Sequence, residues 1–244
     1  MTETRDPGEI FLTAEWRDLL FLNYAVEPRL LMEHVPAGTM LDSFDGKTFV
    51  SLVGFRFYRT KLFGAVAVPF HEDFEEINLR FYVRPQNGYT ERRGVVFISE
   101  IVPRWAIAAT ARLIYGEKYH AFAMQHSIVT QDLQQRLEYR WKMKNQWCSV
   151  KATADGQAAI PKKASLEEFI TEHYWGYSST RGGGCVEYHV AHPQWSVRQC
   201  IFGKFEGDAR PLYGELAQIL NRTPDSAFLA SGSPVTVYRG RKII

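Results

Sequence analysis

The run Glu75-Glu76-Ile77-Asn78-Leu79-Arg80-Phe81-Tyr82-Val83 decides the fold class. Apolar Ile77, Leu79, Phe81 and Val83 alternate with polar Glu76, Asn78, Arg80 and Tyr82. A period of two marks a β-strand, whose successive side chains point to opposite faces. One face must pack on a core. The other either meets water, as antiparallel sheets often allow, or lines an enclosed space. Alternation alone favours the wet face, with Glu76 and Arg80 simply solvated. Inside a barrel the same groups would bring a carboxylate and a guanidinium together, a pairing that can orient an anionic ligand and move a proton.

The neighbouring segments read the same way. Trp16 to Val26, Lys47 to Tyr58, Leu62 to Pro69 and Gly94 to Glu100 are strand-like. Asp45-Gly46 and Asn87-Gly88 mark turns, and Pro36-Ala37-Gly38 another. Pro28 to His34 reads as a short helix with proline at its start. Asp132 to Met143 and Gln146 to Thr153 form an antiparallel pair turning near Lys144-Asn145. Ser165 with Glu168 spells a capping box opening a helix that ends near His173. Tyr174 to Thr180, Cys185 to Ala191 and Ser196 to Phe205 are further strands, and Arg210 to Leu220 a helix. Phe228 to Ser231 and Pro234 to Tyr238 suggest a closing hairpin around Gly232-Ser233. About ten strands with few helices predict a mainly β (α+β) protein. The expected form is one antiparallel sheet, curved or closed, with the helices to its side. Residues 1–14 read as a loose lead-in to a single domain over residues 1–244.

Composition narrows the function classes. The 244 residues are 45% apolar and 14% aromatic, enough for a substantial core. A net charge of +2 spread along the chain leaves no electrostatic footprint for nucleic acid. No stretch approaches the length of a membrane span, and the charged start lacks a signal segment, so a cytoplasmic protein is expected. Three cysteines, Cys148, Cys185 and Cys200, lack metal-type spacing and read as reduced structural thiols. His189 and His192 would point to opposite faces of a strand, which argues against a shared metal. No metal or cofactor is expected.

Trp105 to Tyr115 fits a helical face that Gly116 would end, and Glu117-Lys118-Tyr119-His120 follows. Beyond it a strand would place Tyr119, Ala121, Ala123, Gln125 and Ser127 on one face and His120, Phe122, Met124, His126 and Ile128 on the other. Lys118 could serve as a nucleophile only as the neutral amine. With an ordinary pKa of about 10.4, under ~0.1% is neutral at pH 7. Burial or a nearby cation such as Arg112 or His120 would have to lower it. As an exposed loop residue Lys118 would be inert, and Lys162-Lys163, in a polar stretch, reads as surface.

Several short blocks together carry a resemblance. Trp16-Arg17-Asp18-Leu19-Leu20-Phe21, the Pro36-Ala37-Gly38 turn, Asn78-Leu79-Arg80-Phe81-Tyr82-Val83, Ala111-Arg112 with Tyr115-Gly116, Ser165-Leu166-Glu167-Glu168-Phe169 and His192-Pro193-Gln194-Trp195 stand in the order and spacing of the YqjF-like family. That uncharacterised family is part of the acetoacetate decarboxylase-like superfamily. The resemblance runs from about Trp16 to Tyr238. It implies an antiparallel β-barrel with a central ligand cavity and two to four short peripheral helices. In a barrel, Glu76, Asn78, Arg80 and Tyr82 would face that cavity.

The decarboxylase uses a Schiff-base lysine within a Pro-Lys-Lys run. That run falls on Lys118-Tyr119-His120, so Tyr119 takes the place of the nucleophilic lysine, His120 that of the second, and Lys118 stands one residue early. A one-residue shift on a strand turns a side chain to the other face. The family's active-site arginine matches Arg17, and a pocket glutamate matches Glu76, or Glu75 if the gap falls differently. A second family glutamate, on the strand spanning Thr48 to Gly54, has no acidic counterpart. The leading expectation is a cavity for a small organic acid or carbonyl compound. Arg17 and Arg80 would pair with a carboxylate, Glu76 would carry the proton, and Asn78, Tyr82, Tyr119 and His120 would line the site. One alternative is a Schiff-base lyase of decarboxylase or aldolase/dehydratase type, using Lys118 on a keto acid. The other is a non-catalytic binding or interaction module. A homo-oligomer is implied by the superfamily only.

Overall fold

The computed structural model describes residues 8–67, 72–86, 92–103 and 119–244. Strands β1 (Ile10–Val26), β2 (Thr39–Leu41), β3 (Thr48–Leu62), β4 (Val66–Ala67), β5 (Phe74–Pro85) and β6 (Gly94–Val102) build its first half. The second half supplies β7 (Tyr119–Ala121), β8 (Ala123–Gln131), β9 (Gln134–Met143), β10 (Gln146–Ala154), β11 (Trp175–Ser179), β12 (Cys185–Ala191), β13 (Val197–Glu206), β14 (Ser226–Tyr238) and β15 (Arg241–Lys242). Strands β12, β11, β6, β5, β3, β1 and β14 follow one another in the sheet. The ring closes because β12 also pairs with β14, through Val190↔Val237 and Ala191↔Thr236. Every pairing in this barrel is antiparallel except β6 with β11. Beyond β14 the sheet runs on through β13, β10 and β9 to β8 as an outer layer.

Both faces of the barrel wall are therefore buried. Ile77, Leu79, Phe81 and Val83 point outward from β5 into a core shared with Leu137, Tyr139, Trp141 and Val150 of the outer layer. The inward residues Leu19, Phe21, Val53, Phe55, Phe57, Phe74 and Tyr82 form a second core with Phe169 and Ile170 of the helix Leu166–Thr171. A wet face on β5 is excluded: Glu76 and Asn78 are only 4% and 2% exposed. At Gly54 the outer layer comes so close that an added Cβ would lie 2.6 Å from the Tyr139 ring.

Most of the expected elements are present, with displaced boundaries. The capping box forms, Ser165 Oγ accepting the Glu168 N–H at 3.2 Å while the Glu168 carboxylate takes the Ala164 N–H. Lys144-Asn145 turns β9 into β10 with Lys144 at φ +52°. All three cysteines are free thiols. The lead-in is shorter than expected, because β1 begins at Ile10. Pro28 to His34 is two single 3₁₀ turns, Pro28–Leu30 and Met32–His34. Arg210 to Leu220 is two short helices broken at Gly214, whose φ is +52°. The strand expected from Tyr119 onward breaks at Phe122, so that β7 joins the barrel and β8 the outer layer. The closing hairpin does not exist: β14 passes straight through Gly232-Ser233, paired to β1 on both sides of it. The Asn87-Gly88 turn, the Trp105 to Gly116 helix and Lys118 lie outside the described residues.

Candidate active site

The barrel encloses a cavity of about 210 Å³. A single ordered water needs only ~15 Å³, so there is room for an organic molecule. Strand register sets its layers. Phe57 pairs with Phe74, Phe55 with Glu76, Val53 with Asn78, and Ser51 with Arg80, so the lining turns from aromatic to polar along the axis.

The polar wall is built across three strands. Asn78 stands opposite Glu100 of β6, and Glu100 opposite Tyr119 of β7. A register shift between Leu79 and Arg80 adds one residue to β6. Such a bulge reverses the inside–outside alternation, so Val95, Phe97 and Glu100 all face inward although 97 and 100 differ in parity. Asn78 Nδ2 donates to Glu76 Oε1 at 3.0 Å and fixes that carboxylate. Arg80 Nη2 donates to the Ile170 carbonyl at 3.2 Å. The guanidinium lies 5.2 Å from the centre of the Phe21 ring and 5.8 Å from that of Tyr82. Arg80 is 9% exposed, and its Nε has no hydrogen-bond partner among the described residues. The same holds for Asn78 Oδ1. Buried donors and acceptors left open in this way are costly unless something else fills the space.

Two imidazoles add to the lining. His173 packs on Tyr82, 4.7 Å between ring centres, and on Phe169. Its Nε2 is 3.9 Å from Asp42 Oδ2, which accepts from Arg93 Nε at 2.6 Å. Burial, helped by the positive charges of Arg93 and Arg80, pushes His173 down to about 4 against the opposing pull of Asp42. Burial also lowers His192 to about 4. The His192 ring stacks on Trp195 at 4.2 Å, and its Nδ1 meets the Pro193 carbonyl at 2.9 Å. Both rings are neutral at pH 7, which makes them hydrogen-bonding groups without charge. Burial resists the ionisation of Asp42, but the Arg93 guanidinium bonded to it and the nearby His173 outweigh that and hold it at about 2.

The geometry sorts the expected site residues. Glu76, Asn78, Arg80 and Tyr119 line the cavity. Tyr82 stands behind it, its hydroxyl 2.5 Å from Ser51 Oγ, and supports His173. Arg17 is a correction. Its side chain is 40% exposed and donates to Glu15 Oε2 at 2.8 Å, outside the barrel. A bulge at Asp18, which has φ +57°, turns Trp16 and Leu19 both inward and so throws Arg17 out. His120 is the second correction. It lines a separate surface depression with His34 and Tyr213. Glu75 points outward and bonds His126. Glu100, His173 and His192 were not singled out by sequence reasoning for this cavity. Only their position beside strand ends and a capped helix hinted at them. His189 and His192 do not share a site: His189 stacks on Tyr238. Among the described residues no group of three or more His, Cys, Asp or Glu side chains could hold a metal ion, and no helix is long and apolar enough to cross a membrane.

The fold is shared with solved acetoacetate decarboxylase-like proteins. Acetoacetate decarboxylase from Legionella pneumophila superimposes over all of this chain and 92% of its own, with a TM-score of 0.68 at 14% identity. An acetoacetate decarboxylase-like enzyme from Sphingomonas wittichii RW1 matches over 100% and 98%, TM-score 0.69, identity 11%. The enduracididine biosynthesis enzyme MppR, in complex with pyruvate, matches over 100% and 93%, TM-score 0.66, identity 10%. The chain belongs to the DUF2071 family of uncharacterized conserved proteins, whose model matches residues 13–234. It is 26% identical to YqjF of Bacillus subtilis (strain 168) over 186 residues, 75% of this chain and 73% of that protein.

Proposed function

We propose that the barrel cavity binds a small organic acid or carbonyl compound and acts on it as a lyase-type site. The observation that carries this reading is Arg80: a guanidinium buried inside the barrel, its Nε open, on the strand that also presents Glu76. A desolvated arginine is a strong carboxylate partner. Glu76, oriented by Asn78, is the proton carrier, and Glu100 and Tyr119 complete that wall. Binding of pyruvate by a protein of the same fold supports the ligand class. A Schiff-base route through Lys118 is the second reading; it rests on the lysine standing next in the chain to Tyr119, which lines the cavity, although adjacent residues of a strand face opposite ways.

Titration calorimetry with 2-oxo and 3-oxo acids tests the first reading, and borohydride trapping followed by mass spectrometry tests the second. Saturable binding that Arg80→Gln weakens tenfold or more is the expected result. Absence of binding across the panel refutes the cavity reading, and absence of an adduct on Lys118 removes the Schiff-base route. Retained affinity with no turnover would leave a non-catalytic binding module.

A further inference from the structure

The wall that turns Glu100 and Tyr119 into the barrel has a second opening on its outer side. A depression of about 700 Å³ lies between the two 3₁₀ turns, β6, β7 and the break between the two short helices at Gly214. Ser99 and His120 line it, and each stands next in the chain to a cavity residue, Glu100 or Tyr119. Neighbours on a strand face opposite ways, so the depression and the barrel cavity share one wall and open on opposite sides of it.

Its chemistry differs from that of the cavity. Ser99 and Tyr213 are 1% and 4% exposed, and among the described residues neither hydroxyl has a hydrogen-bond partner. Buried hydroxyls left open are costly, and two stand at this one place. Burial raises the pKa of Tyr213, so its phenol keeps the proton and is a donor. Leu30, Ile98, Leu212 and Leu216 supply an apolar surround. The formal charges among the described lining residues are Arg29, Glu33 and Glu215, one positive and two negative, all on exposed residues. Glu33 is already engaged, its Oε1 3.4 Å from Nε2 of His34. An ion drawn into this interior would lose its water without gaining a buried countercharge. A neutral molecule avoids that cost, and an acceptor oxygen on it meets the open hydroxyls. Apolar walls with a few placed polar groups are the usual make-up of a small-molecule site.

We infer that the depression is a second binding site, for an uncharged organic molecule with an apolar body and an amide or other carbonyl oxygen that accepts from Ser99 and Tyr213. The inference does not depend on what the barrel cavity binds.

Three probes that share one ring and differ in charge test it: benzamide, benzoate and the benzylammonium ion. Saturation-transfer NMR titrations of the intact protein at neutral pH measure each. Benzamide should bind at least fivefold tighter than either ion. Ser99→Ala and Tyr213→Phe should each weaken benzamide about fivefold or more, while Arg80→Gln, inside the barrel, should leave it within twofold. Both hydroxyl variants remove a group without an internal partner, so neither should destabilise the fold, and thermal melting checks this. A loss of several degrees in both would show that the hydroxyls are already bonded within the protein, and it overturns the inference. Either ion binding as tightly as benzamide also overturns it. So does benzamide binding that Arg80→Gln abolishes and the hydroxyl variants leave unchanged, or no saturable binding by any of the three.

Discussion

Gly232 is the position where the barrel can be tested most directly. It lies mid-strand in β14 at φ +67°, opposite Arg17 of β1. A Cβ built there would stand 2.0 Å from the Trp16 carbonyl oxygen and 2.7 Å from Leu19 Cδ1. The carbonyl belongs to a paired strand and cannot swing aside. Alanine would therefore meet two costs: about 1–2 kcal/mol for the left-handed backbone and about 1–3 kcal/mol for forcing the strands apart. Gly46 is the matched control. It sits at φ +73° in the Asp45-Gly46 turn with nothing within 4 Å of an added Cβ, so Gly46→Ala pays the backbone cost alone. At about 2–4 °C per kcal/mol for a chain of this size, Gly232→Ala should lower Tm by roughly 4–20 °C and Gly46→Ala by roughly 2–8 °C, the former being the larger loss at any one slope. Differential scanning calorimetry measures both. Because Trp16 lines the cavity, Gly232→Ala should also weaken ligand binding, and Gly46→Ala should not. Equal losses in the two variants would refute the reasoning. They would mean that Gly232 occupies an open turn, as its Gly-Ser sequence suggests, and that β14 does not run unbroken along β1.

Two further outcomes follow from the site. Since His173 protonates near pH 4 in the folded protein and near 6.5 when unfolded, the unfolded chain takes up that proton first as pH falls. Stability should therefore drop between pH 6.5 and 4, by about 3 kcal/mol from this ring. His173→Gln should flatten the Tm-versus-pH curve in that window, and an unchanged slope would contradict the buried neutral imidazole. Arg17→Ala should leave titrated affinity for an oxo acid within twofold, because its side chain pairs with Glu15 outside the barrel. A tenfold loss would place Arg17 in the cavity after all.

The local rules were legible in the residues themselves. Alternation at 75–83 required a strand with Glu76, Asn78 and Arg80 on one side, since the β period of two is intrinsic to the backbone. Ser165 and Glu168 marked a helix start through side-chain hydrogen bonds that span three residues. Parity across whole strands was not legible. The bulge at Asp18 inverts Arg17, and the added residue in β6 brings Glu100 inward. In each case the extra residue is chosen by the register of the partner strand, which no window of one strand contains. Gly232 read as a turn because its backbone conformation is the same in a turn and in a strand pressed against a neighbour's carbonyl. The sequence by itself determined which side chains share a strand face. Only the closure of β12 onto β14 decided which face is the inside, because enclosure depends on contacts between segments more than forty residues apart in the chain.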